Sequence, residues 1–213
     1  MNLTGFNPEV VTASINGVKG AYSNLIDALG NQIQVQFVDG MSQYWACTQA
    51  QEFYNQAFKP TFDTIITSAN ATFNSIVSSM NSAANNWATQ TKSSWGGMSI
   101  ETIDKKIDTS SILENINGNR GIDEIEAKNV AAKLVPIANN AKNALTEAQN
   151  AVASCGFLGG GQAAELQSSL ATIKNNIDKA VEEATVSTEK AINNTVEAYG
   201  TLSKNVSNAF AGN

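Results

Sequence analysis

The sequence predicts an all-α fold, and three observations carry that expectation. Apolar residues recur at steps of three and four over most of the chain, the mark of one buried face per helix. Only three prolines interrupt 213 residues, and Ala, Gln, Ser and Asn fill much of the remainder, so helix breakers are scarce. The breaks that do occur are Gly-bearing and few: "KSSWGGMS" at 92–99, "NINGNRG" at 115–121 and "CGFLGGG" at 155–161. The implied order is helix, turn, long helix, linker, helix, turn, long helix.

The first helix starts at "NPEVV", where Asn7 can cap and Pro8 loses nothing by lacking an N–H at the first helical position. Val11, Ile15, Val18, Tyr22, Leu25 or Ile26, and Leu29 form its stripe. Gly30 and the "VDG" ending at Gly40 are the expected exits, with the alternating "QIQVQFV" between them a candidate strand. From Gln43 to about Thr91 the helical period returns through Phe53, Ala57, Phe62, Ile65 or Ile66, Ala69, Phe73, Ile76, Met80, Ala84 and Trp87. Such a helix would be about 70 Å long. Pro60 should kink it, because its ring crowds the carbonyl of Gln56.

The linker "IETIDKKIDTSSILENI" is expected to hold one or two short helical turns. The third helix runs from about Asp123 to Ser154, with Ile125, Val130, Leu134, Ile137, Ala141, Leu145, Ala148 and Val152 inward and Pro136 bending it. The fourth carries Leu166, Leu170, Ile173, Ile177, Ala180 or Val181, Ala184, Ala191, Ala198, Leu202 and Val206. Its second half is Ala-rich, which predicts weaker packing.

Several function classes are disfavoured. Lys+Arg 13 against Asp+Glu 19 gives a net charge of −6, so a generic grip on nucleic acid is not expected. No apolar run reaches the roughly 20 residues of a transmembrane helix, and the amino terminus lacks the basic-then-apolar pattern of a cleaved signal peptide. Without any His, the commonest general base and metal ligand are missing; no enzyme activity, cofactor or metal is expected. Cys47 and Cys155 lack metal-ligand spacing and read as two separate, half-buried thiols. The glycines at 159–161 lack the preceding strand and following Lys-Ser/Thr of a phosphate loop. Glu52 and Glu165 occupy equivalent places and are assigned to the first turns of their helices through the helix dipole. Packing accounts for Trp45, Trp87 and Trp95, the alternative being recognition at a hairpin tip or a partner surface.

Two stretches echo one another. Trp45, Cys47, Ala50 and Phe53 stand at the same offsets as Leu158, Gly160, Ala163 and Leu166: a bulky residue, a small one, Ala, and another bulky one. A large side chain can plug the end of a hairpin, and a small residue two positions on lets the second helix pass close to the first. With these motifs the chain resembles the WXG100 (ESAT-6-like) family of secreted helical hairpins, as two hairpins fused in tandem. The first copy has Cys47 in place of the family's Gly, and the second has Leu158 in place of its Trp.

The resemblance implies hairpins at residues 1–95 and 120–213, a linker at 96–119, and an antiparallel, pseudo-twofold four-helix bundle. Phe53, Phe62, Phe73, Leu166, Leu170 and Ile177 are among its expected packing residues. It also implies a non-enzymatic substrate or partner of a type VII (ESX-like) secretion system in a Gram-positive bacterium, secreted without a cleaved signal peptide. The implied partners are the secretion ATPase or another WXG100-like or effector protein, with the chain itself a monomer. A membrane-active or structural/adaptor bundle is the alternative; the negative charge and missing basic face count against lipid. The family's export signal, Tyr followed four residues later by Asp or Glu, is incomplete: Tyr199 is the candidate, but position 203 is Ser. The tail "SNAFAGN", expected to be disordered, is a second candidate signal.

Overall fold

The computed structural model describes residues 6–156, 158 and 160–211. The fold is all-α and built on four helices, with two-residue β segments as its only strands among the described residues. The first helix comprises α1 (Pro8–Ile26), a π-helical stretch (Asp27–Val38) and the short α2 (Asp39–Met41); after β1 (Trp45–Ala46), the second comprises α3 (Thr48–Glu52), a π stretch (Phe53–Phe58) and α4 (Lys59–Gln90). β2 (Gly121–Ile122) leads into a third helix made of α5 (Glu124–Ala131) and α6 (Leu134–Ala153), and α7 (Gly160–Ala211) is the fourth.

Local chemistry sets these boundaries. The Asn7 carboxamide accepts from the N–H groups of Glu9 (2.9 Å) and Val10 (3.4 Å), and the Asp123 carboxylate accepts from Glu126. Pro136 cannot donate to the carbonyl of Ala132, four residues earlier, and the third helix breaks at that point, between Ala131 and Leu134. Neither Gly30 nor "QIQVQFV" ends the first helix; a wider turn carries it through both. Buried Leu25, Leu29, Ile33, Phe37 and Met41 recur every four residues, as do Ala50, Tyr54, Phe58 and Phe62. At 3.6 residues per turn a strict four-residue repeat drifts about 40° per step, and a wider turn removes much of that drift. The π stretches fall where the repeat is four. The second lies immediately before Pro60, whose ring would crowd the Gln56 carbonyl in a regular α-turn.

Chain contacts divide the molecule into two compact units, each drawing on all four helices. One holds Met1–Leu29, Thr64–Lys105 and Ala138–Asp178. Here Val11, Ile15, Phe73, Ile76, Leu145, Val152, Leu170 and Ile177 are buried. Tyr22 packs on Phe73 with ring centroids 5.2 Å apart, and a Cβ on Gly17 would stand 3.0 Å from that of Ala151, so the first and third helices touch through a missing side chain. The other unit holds Gly30–Asp63, Lys106–Ile137 and Lys179–Asn213. Its core is aromatic: Phe58 lies 4.7 Å from Phe37 and 4.6 Å from Phe62, centroid to centroid.

Several inward assignments are corrected. Tyr54 and Phe58 are buried on the second helix, while Phe53 is half-buried and Ala57 exposed. Ile125 is 73% exposed, because α5 turns Ala127, Val130 and Ala131 inward. On α7, Thr188, Ile192 and Thr195 replace Ala191 and Ala198, and Leu202 and Val206 are exposed. Helix α7 also continues through the expected tail to Ala211, with Gly212 and Asn213 outside the described residues.

The linker forms an extended strap rather than helical turns. From Ile103 to Ser110 its residues alternate between more and less exposed, as extended chain does. Its main chain is held by amides and carboxylates of the second helix. In the first unit, Asn81 accepts from Met98 N–H (2.8 Å) and Asn70 Nδ2 donates to the Ile103 carbonyl (3.2 Å). The eleven residues from Asn70 to Asn81 rise about 16 Å as helix, and the five from Met98 to Ile103 span about 16 Å as extended chain, so the two ladders keep pace. In the second unit, Asp63 accepts from Ile107 N–H (2.8 Å) and Gln51 Nε2 donates to the Ile112 carbonyl (3.2 Å).

Candidate functional site

The first helix entrance is a sealed hairpin tip. Tyr44 N–H donates to the Met41 carbonyl (3.0 Å) to close the turn, and Asp123 N–H donates to the Tyr44 carbonyl (2.8 Å). β1 then pairs antiparallel with β2, Trp45 opposite Ile122 and Ala46 opposite Gly121. Trp45 is wholly buried, stacked on Phe53 at 5.9 Å and edge-on to Tyr54 at 6.2 Å. Cys47, also buried, holds an extended backbone (φ −170°, ψ 172°) at the start of α3, and its carbonyl accepts from Gln51 N–H (3.2 Å). Ala50 is buried one turn on.

The second entrance, in the other unit, uses smaller parts. Leu158 is buried and donates its N–H to the Cys155 carbonyl (3.1 Å); Gly160 opens α7; Ala163 is half-buried and Leu166 buried. Phe157 and Gly159 lie outside the described residues. Both small positions, Cys47 and Gly160, fall within a residue of a helix start. Cys47 and Cys155 are free thiols, but they are fully buried rather than half-buried. Burial pushes the Cys155 thiol up to about 11, a hydrogen bond with Ser14 opposing the rise.

Tyr199 shares the first tip's unit. It is half-buried and lines a cavity of about 500 Å³ with Gln49, Thr195, Ala198 and Leu202. Burial raises its phenol above the ordinary value, Cys47 acts in the same direction, and Arg120 opposes them. Gln49 lies within the motif itself, on α3, whereas Arg120 and β2 come from far along the sequence and were not singled out by it. Tyr54, beside Trp45, is also raised by burial.

Glu52 and Glu165 are both exposed, one in each unit, and both stand beyond the first turns of α3 and α7, which contain no acid. The dipole role assigned to them is therefore not theirs; first-turn acids stand in other helices, Glu9 in α1 and Glu124 and Glu126 in α5. Among the described residues no cluster of three or more His, Cys, Asp or Glu could hold a metal ion, and no helix is long and apolar enough to cross a membrane. Comparison with family models, curated proteins and solved structures finds no match for this chain. What relates the two entrances is their own geometry: a buried bulky residue, then a small one where the helix begins.

Proposed function

We propose that the chain is a non-enzymatic, secreted substrate or partner of a type VII (ESX-like) secretion system in a Gram-positive bacterium, formed by two WXG100-like hairpins in tandem. The reading is supported by how each unit is composed. One contains the first hairpin tip together with the start of α5 and the end of α7; the other contains the second tip together with the start of α1 and the end of α4. Two hairpins paired antiparallel about a pseudo-twofold would give that composition twice. Each hairpin presents a single apolar stripe, and the other hairpin of the same chain supplies its cover. A monomer is therefore expected.

The partners this reading calls for are the secretion ATPase or a second WXG100-like or effector protein. Tyr199, which lines a cavity with Gln49 of the first tip, is the residue most suited to be read there. The test is export from a Gram-positive host with its secretion ATPase present or deleted. Uncleaved chain should accumulate in the supernatant only when the ATPase is present, and Tyr199→Ala should reduce it. Retention in the cell with the ATPase present, or export without it, would overturn the proposal.

A further inference from the structure

A cleft of about 470 Å³ lies in the first unit, and neither hairpin tip contributes to its lining. One wall is the outward face of the second helix, where Asn74, Ser78, Ser82 and Asn85 follow at steps of four, four and three. The other is the loop from Trp95 to Ile100, and no charged residue lines either wall.

The loop is fixed largely through one side chain. Asn81 Oδ1 accepts from the Trp95 indole N–H (3.0 Å) and from Met98 N–H (2.8 Å), while its Nδ2 donates to the Met98 carbonyl. Phe6 meets the Trp95 ring edge-on, 6.3 Å between centroids and 88° between planes. Gly97 turns the loop at φ +72°, in the left-handed region that favours glycine. The indole is thus oriented from two sides with its only donor already engaged, and what it offers a ligand is ring surface. Around it stand the Ser78 and Ser99 hydroxyls and the Asn85 amide, which make no side-chain hydrogen bond among the described residues.

We infer that this cleft binds an uncharged carbohydrate. An aromatic surface accepts the C–H face of a pyranose ring, and amides and hydroxyls exchange hydrogen bonds with its hydroxyls. An ionic ligand would give up hydration without a counter-charge, and a wholly apolar one would strand the amides and hydroxyls of the lining. The volume falls within the range of small-molecule sites. The inference does not depend on the secretion reading.

The test is a nitrogen–proton NMR titration of the full chain with two neutral probes, a β-linked glucose trisaccharide and an N-acetylglucosamine trisaccharide, and with glucuronate as the anionic comparator. With at least one trisaccharide, the Trp95 indole and Asn85 amide signals should shift saturably, with a Kd on the order of 1 mM. The indole signals of Trp45 and Trp87 should stay in place. Trp95→Ala should abolish the response; Asn85→Ala, at an exposed position that leaves the fold intact, should weaken it about three- to tenfold. Unmoved Trp95 and Asn85 signals with both trisaccharides would overturn the inference. So would tighter binding of glucuronate, or unchanged affinity in Asn85→Ala.

Discussion

The two hairpin tips solve one packing problem with different materials. At the first, a fully buried Trp45 sits between Phe53 and Tyr54 and is backed by a two-residue sheet. At the second, Leu158 does the plugging, no sheet backs it among the described residues, and Gly160 lets α7 begin at once. The first tip depends on one large side chain and its neighbours. The second depends on close backbone approach: Gly17 faces Ala151 one turn before that tip, where the missing Cβ sets the spacing of the first and third helices. A motif can therefore keep its shape while moving its energy from side-chain burial to backbone proximity.

Four substitutions and one treatment would break or sharpen that contrast. Trp45→Ala should cost the most, about 3–5 kcal/mol, since it empties a large and fully buried site. Leu158→Ala should cost about 2 kcal/mol, a smaller side chain that retains 9% exposure; chemical denaturation of both variants measures the difference, and equal losses would erase the contrast. Gly17→Ala gains helix propensity but places a Cβ 3.0 Å from Ala151, which has no flexible end to move; a net loss of about 1–2 kcal/mol is expected from the same assay. Cys47→Gly, which gives the first tip the same small residue as Gly160 at the second, should cost about 1 kcal/mol for the lost buried thiol.

The last treatment concerns pH. Because the folded Cys155 thiol is raised to about 11 from 9.0, the native state binds the proton more tightly than the unfolded chain does. Its contribution is fully present below about pH 9 and is lost as the pH rises toward 11. At pH 8, iodoacetamide should label Cys155 far more slowly in the native protein than in denaturant, as followed by peptide mass spectrometry. Equal rates would mean that the second tip is open.

Much of the fold was legible because helix periodicity is local. Asn7, Pro8, Asp123 and the turn near Cys155 announced their boundaries by residue type alone. The phase of the second helix was harder to read. Phe53 and Ala57 form one four-residue series and Ala50, Tyr54 and Phe58 another, and each can be extended to Phe62. Only the second avoids a step of five across Pro60, and it is the buried one. The linker misled for a different reason: Ile100, Ile103 and Ile107 are spaced as on a helix, but Asn81, Asn70 and Asp63 satisfy its main chain from far along the sequence. Residues distant in sequence likewise complete the first tip, so the motif exposed Trp45 and Cys47 to view but not Arg120 or β2. Ile125 was assigned inward by spacing alone, at the end of a helix where nothing yet covers that face.

The mutual cover of two hairpins within one chain is tested most directly by the mass in solution, measured by light scattering over a range of concentrations. A single species of 22.5 kDa at every concentration is predicted. A concentration-dependent dimer would contradict it, because each hairpin would then be seeking its cover in a second molecule.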